Sequence, residues 1–204
     1  MKNAGLEKVR LLMHKFNLLA AMVGGVLSLG STLSAQETNV LIIPPKTKYE
    51  NFELKTGTVL IKGSTQVGAV STRTGQIIVR CKEIREPVTG FVEQALSIEV
   101  RQTQESAADS TIIDYDEIDG LIAGVDFLSR ADPSLTPLSH FEVTYRTRGE
   151  LILSVFNRRS SAIEAAIQSS RYTHASSVLT LQELAQFRVL LDQAKAKLDS
   201  IRKR

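Results

Sequence analysis

Phe141-Glu-Val-Thr-Tyr-Arg-Thr-Arg-Gly-Glu-Leu-Ile-Leu-Ser-Val155 is the stretch on which the reading of the fold turns. Phe141, Val143 and Tyr145 alternate with Glu142, Thr144 and Arg146. That period of two places apolar side chains on one face of a strand and polar ones on the other. Arg148-Gly149 then marks a tight turn. Leu151, Leu153 and Val155 resume the alternation, so the fifteen residues read as an antiparallel hairpin.

The same period recurs upstream. Val59 and Ile61 alternate after Gly57, and Val67 and Val70 form a shorter, weaker segment. Ile77, Val79 and Cys81 oppose Arg80 and Lys82. Leu96, Ile98 and Val100 alternate with Ser97, Glu99 and Arg101. Each reads as a half-buried strand with one wet face. Downstream, Ala162 to Gln168 is expected as a further strand, although its alanines also suit a helix. Val178-Leu179 is expected to pair briefly.

Two segments change period. Ile118, Leu121, Ile122, Val125 and Leu128 lie on one side of a helix, and Asp132-Pro133 closes it. Asp114 or Asp116 is expected to cap its start, with Glu117 and Asp119 at the positive end of its dipole. The last helix has a stronger signature. Thr180-Leu-Gln-Glu183 has the spacing of a capping box, and Leu184, Phe187, Leu191, Ala194, Leu198 and Ile201 follow at steps of three and four. The two helix entries also correspond at an offset of 66 residues. Ser110, Ile112, Ile113, Asp114 and Glu117 fall on Ser176, Val178, Leu179, Thr180 and Glu183. This raises the expectation of a strands-then-helix pseudo-repeat. The fold class expected is α+β. Antiparallel strands and hairpins form one sheet or a partial barrel, with a central and a C-terminal helix packed on it.

The start of the chain speaks about compartment. Lys2, Lys8, Arg10 and Lys15 precede an apolar run from Phe16 to Leu29, and Leu33-Ser34-Ala35 follows. This order is that of a secretory signal peptide over residues 1–35. The rival reading is an uncleaved anchor, because the run approaches the length that spans a bilayer. Gly24, Gly25, Gly30 and several Ser and Thr residues dilute its end. Residues 36–48 read as an extended lead-in, with Leu41–Ile43 a candidate edge strand before Pro44-Pro45, and 49–204 as one domain.

Four of the 25 basic residues and one of the 22 acidic ones lie in the first 35, which leaves 21 of each beyond them. A neutral domain lacks the basic face that nucleic acid requires. Short basic patches remain at Arg158-Arg159 and Arg202-Lys203-Arg204. Cys81 is the single cysteine, so no internal disulfide forms, and its place on a strand predicts a buried, inert thiol.

No motif carries recognisable chemistry. Asp114-Tyr-Asp116-Glu117-Ile-Asp119-Gly120 fails as a calcium loop, since Ile118 stands where a ligand is needed and the glycine comes one residue late. His140 and His174 have no ligand partners at metal spacing. No serine sits in a Gly-x-Ser-x-Gly turn, and the glycines form no phosphate-cradling run. Accordingly no catalytic, metal or cofactor residues are expected. The five apolar residues Leu184, Phe187, Leu191, Leu198 and Ile201 are the candidate interaction surface, with docking on the chain's own sheet as the competing reading. The expected function is an exported, non-catalytic module that binds protein. A carrier of a small apolar ligand or lipid is the alternative, and a hydrolytic enzyme without a recognisable motif comes third.

Overall fold

The computed structural model describes residues 44–103, 108–157 and 162–202. Leu41–Ile43, Arg158-Arg159, Lys203-Arg204 and the leader lie outside the described residues. Pro44 leads into α1 (Lys48–Glu53). Four strands follow, β1 (Ile61–Ser71), β2 (Gly75–Arg85), β3 (Val92–Gln102) and β4 (Ala108–Asp114), and then α2 (Ile118–Leu128). The second half repeats that order with β5 (Glu142–Arg146), β6 (Leu151–Asn157), β7 (Ile163–Ser169), β8 (Ala175–Leu179) and α3 (Leu181–Arg202).

The strands form two antiparallel four-stranded sheets, β1-β2-β3-β4 and β5-β6-β7-β8. The class is therefore α+β, but the expectation of one sheet or a partial barrel is corrected. β4 ends in a single 3-10 turn at Tyr115–Glu117 that leads directly into α2. α2 thus intervenes between β4 and β5, and β5 begins a new ladder rather than extending the old one.

The helices are expected elements with two surprises. Thr47 caps α1 with a full capping box, Glu50 N donating to Thr47 Oγ1 at 3.1 Å and Glu50 Oε2 accepting from Thr47 N at 3.1 Å. This helix starts where the expected extended lead-in of residues 36–48 ends, and no helix is expected there. Conversely, neither Asp114 nor Asp116 caps α2. The Asp114 carboxylate instead accepts from Lys48 N at 2.8 Å and Tyr49 N at 3.1 Å, supplying acceptors to the orphan donors of α1. β1 runs as one strand from Ile61 through the Val67–Val70 segment, with Val59 just ahead of it and a bulge between Gln66 and Gly68. In the β5–β6 turn a Cβ on Gly149 would stand 2.1 Å from Ile112 O, so glycine is needed for close approach to β4.

Alternation along β2 and β3 feeds two cores. Ile77, Val79, Cys81, Leu96, Ile98 and Val100 join the main core with α2, α3 and the inner residues of β6–β8. On the opposite face Ile84 and Ala95 pack with Tyr49, Phe52 and Ile112 in a smaller core beneath α1. The expected wet face of the first sheet is thus partly dry. No helix among the described residues is long and apolar enough to cross a membrane.

Candidate functional site

The five-residue stripe of α3 lies inward. Leu184 is 1% exposed, and Phe187, Leu191 and Leu198 are fully buried with Ala194 in the main core. Only Ile201 stays half-buried, at the rim of a cavity. Within the folded chain this stripe is a core seam, because both sheets need an apolar cover and α3 is long enough to supply it.

The free apolar surface lies elsewhere. Leu54, Val59, Ile61, Val88 and Phe91 are between 49% and 86% exposed. Glu86 gathers the segments that carry them. Its carboxylate accepts from Thr58 Oγ1 at 2.7 Å, Thr89 Oγ1 at 2.8 Å and Lys55 Nζ at 3.1 Å. The chain after α1 is thereby tied to the turn between β2 and β3. Those hydrogen bonds, Thr58 first and then Thr89 and Lys55, hold the Glu86 carboxyl down at about 2. The Phe91 ring meets Phe52 at 4.8 Å between centroids, and Lys55 Nζ stands 4.4 Å from the Phe52 ring centre. A shallow cavity of about 310 Å³ opens among Lys48, Phe52, Lys55, Phe91 and Glu93.

The acidic cluster at the start of α2 is satisfied by cations. Asp116 accepts from Lys48 Nζ at 2.9 Å and Arg148 Nη2 at 2.7 Å, and Glu117 accepts from Arg148 N at 2.8 Å. The hydrogen bond from Lys48 leads in lowering the Asp116 pKa. Among the described residues no group of three or more His, Cys, Asp or Glu side chains is placed to hold a metal ion. His140 and His174 are both exposed.

A second region emerges where α3 ends above the first sheet. Two cavities of about 310 and 250 Å³ share Glu83 and Ile201 as lining residues. Their floor is a single row across three strands, Gly63 paired with Glu83 and Glu83 with Gln94. Gln94 is 6% exposed, and its Nε2 donates to Glu83 Oε2 at 2.9 Å. That bond fixes the amide orientation and leaves Gln94 Oε1 buried without a hydrogen-bond partner. Tyr115 lines the same cavity with the Arg202 guanidinium 4.0 Å from its ring centre. Sequence alternation places Glu83 and Gln94 on one face, but the missing donor depends on what α3 leaves uncovered, which no local pattern records.

No protein-family model, no curated protein and no solved structure matches the chain.

Proposed function

We propose that this chain is an exported, non-catalytic module of the cell envelope or extracellular space, and that it binds protein. The observation that carries the reading is the apolar end of the first sheet. Leu54, Val59, Ile61, Val88 and Phe91 are held together by the Glu86 hydrogen bonds rather than scattered singly. Exposed apolar residues gathered at one end of a sheet beside polar groups suit a protein contact. Phe91 supplies an aromatic side chain of the kind such contacts favour. Export rests on the leader, and cleavage after Ala35 would leave Gln36 as the first residue.

Two measurements test the reading. N-terminal sequencing of the exported protein should start near Gln36. An intact Met1 in a membrane fraction would replace cleavage with anchoring. Partners captured by cross-linking in the native envelope should be lost from a Val88→Glu variant whose melting temperature is unchanged. Val88 is 86% exposed, so a charge there leaves the core intact. Capture that is indifferent to this charge would remove the patch from the reading.

A further inference from the structure

We propose that the cavity lined by Gln94, Tyr115 and the last turn of α3 binds a free α-amino acid with a small apolar side chain. This cavity shares no residue with the apolar patch around Phe91, and the proposal stands apart from the protein-binding reading.

The cavity holds about 310 Å³, the small end of the range for ligand sites. Gln94 on its floor is only 6% exposed, and its Nε2 is committed to Glu83. The remaining Oε1 is buried and has no hydrogen-bond partner. An amide oxygen only accepts, so the group that completes this floor must be a donor. Beside it the Glu83 carboxylate accepts from Gln94 Nε2 at 2.9 Å and Arg85 Nη2 at 3.3 Å, which fills two of its about four lone-pair sites. An ammonium group carries three donors in a compact head and serves both side chains at once. The neighbouring Glu93 adds no carboxylate to this floor. Alternation turns its side chain to the other face of β3, where Asp114 and Lys48 are its electrostatic neighbours.

Another part of the lining has the opposite need. Arg202 has its guanidinium 4.0 Å from the Tyr115 ring centre and no ion pair among the described residues. A guanidinium over a ring keeps its in-plane donors for a carboxylate. Arg85 is already paired with Glu83, so Arg202 is the cation left to bind. An acceptor without a donor and a guanidinium without an anion share one small cavity. A ligand with an ammonium and a carboxylate on the same carbon answers both. A ligand with only a cation meets Arg85 and Arg202 without pairing them. One with only an anion meets Glu83 and leaves Gln94 Oε1 unsatisfied. Val92 and Ile201 complete the lining, and they offer apolar surface to the side chain of the amino acid.

The test is isothermal titration of the exported protein with L-alanine, L-valine and L-leucine. The N-acetyl and the amide derivative of each are controls that lack one of the two charges. At least one of the amino acids should bind, and its two derivatives should bind about tenfold more weakly or not at all. In proton–nitrogen spectra the Gln94 side-chain amide signals should shift as that amino acid is added. Arg202 is exposed, so Arg202→Gln should keep the melting temperature and weaken binding by about tenfold or more. Gln94→Met removes the acceptor with little change in volume and should weaken binding equally. If that variant does not fold, Arg202→Gln and the derivatives decide. No binding of any of the three amino acids, equal binding of either derivative, or binding indifferent to Arg202→Gln would each overturn the proposal.

Discussion

At the scale of the residue, Cys81 illustrates how burial decides chemistry. It is 3% exposed, and its thiol donates to Ala194 O at 3.4 Å. Burial pushes its pKa up to about 11, and Lys197 offsets only part of this. At pH 8 the thiolate fraction is then about a thousandth, and the thiolate is the reactive form. The folded protein should therefore resist iodoacetamide for hours, while the urea-unfolded chain alkylates fully within minutes. Mass spectrometry reads both. Rapid native labelling would mean that α3 lifts from the sheet far more often than its packing implies. Asp114 makes the complementary point about what a residue's neighbours in sequence conceal. It precedes α2 and looks like its cap, yet both its oxygens serve α1, more than sixty positions earlier. An acid ahead of a helix is legible in a sequence, but the helix end it serves is set by the tertiary fold.

At the scale of the element, α3 is where pattern and structure agree most closely. Glu183 N donates to Thr180 Oγ1 at 3.1 Å, and Thr180 N donates to Glu183 Oε2 at 2.7 Å, so the expected capping box is present. Thr180→Ala should cost about 1 kcal/mol. Leu191 is fully buried, and Leu191→Asp should cost several kcal/mol by placing an unpaired charge in the core. Urea titrations give both values. A Leu191→Asp variant that stayed folded while losing oligomeric mass would return the stripe to the role of an interface. Strands were legible for a similar reason, because period-two alternation reports one buried face directly. α1 was missed although Thr47-x-x-Glu50 has the same spacing as Thr180-x-x-Glu183. Six residues are too few to show a helical period, and Pro44-Pro45 just before them suggests extended chain. Likewise the hairpins were readable but the division into two sheets was not. Turn chemistry pairs adjacent strands, whereas nothing local says whether β5 continues the ladder of β4. The open row of Glu83 and Gln94 was illegible because it depends on where α3 stops.

At the scale of the molecule, the two strand-and-helix halves are joined by buried polar contacts as well as by the common core. The expected offset of 66 residues carries β4 onto β8, and each of those strands leads to a helix. Arg171, between β7 and β8, is 4% exposed. Its Nε donates to Glu50 Oε1 at 2.9 Å and its Nη2 to Glu50 Oε2 at 3.1 Å and Pro44 O at 2.6 Å. The backbone around it is held too, since Asp109 on β4 accepts from Arg171 N at 2.8 Å and Ser169 Oγ at 2.9 Å. One cation thus ties α1, which covers the first sheet, to the loop of the second. Removing one partner of such a pair leaves the other charge buried, which costs more than the intact pair contributes. Arg171→Met should therefore destabilise the fold by about 3–5 kcal/mol. Glu50→Gln should also destabilise it, and the double variant should recover much of the combined loss, which a double-mutant cycle by chemical denaturation measures. The pH dependence follows from Glu50. Burial raises its pKa, but hydrogen bonds from Arg171 and from the Lys46 and Thr47 amides outweigh that and leave it below the ordinary 4.5. A carboxyl with a lowered folded pKa stabilises the fold above the unfolded value and loses that contribution as pH falls through the folded one. The gap between wild type and the double variant should accordingly be constant near neutral pH and shift toward the double variant below about 4.5, as Glu50 takes up its proton. Additive single effects, or an Arg171→Met variant within about 1 kcal/mol of wild type, would show that the Arg171–Glu50 pair contributes little to joining the halves.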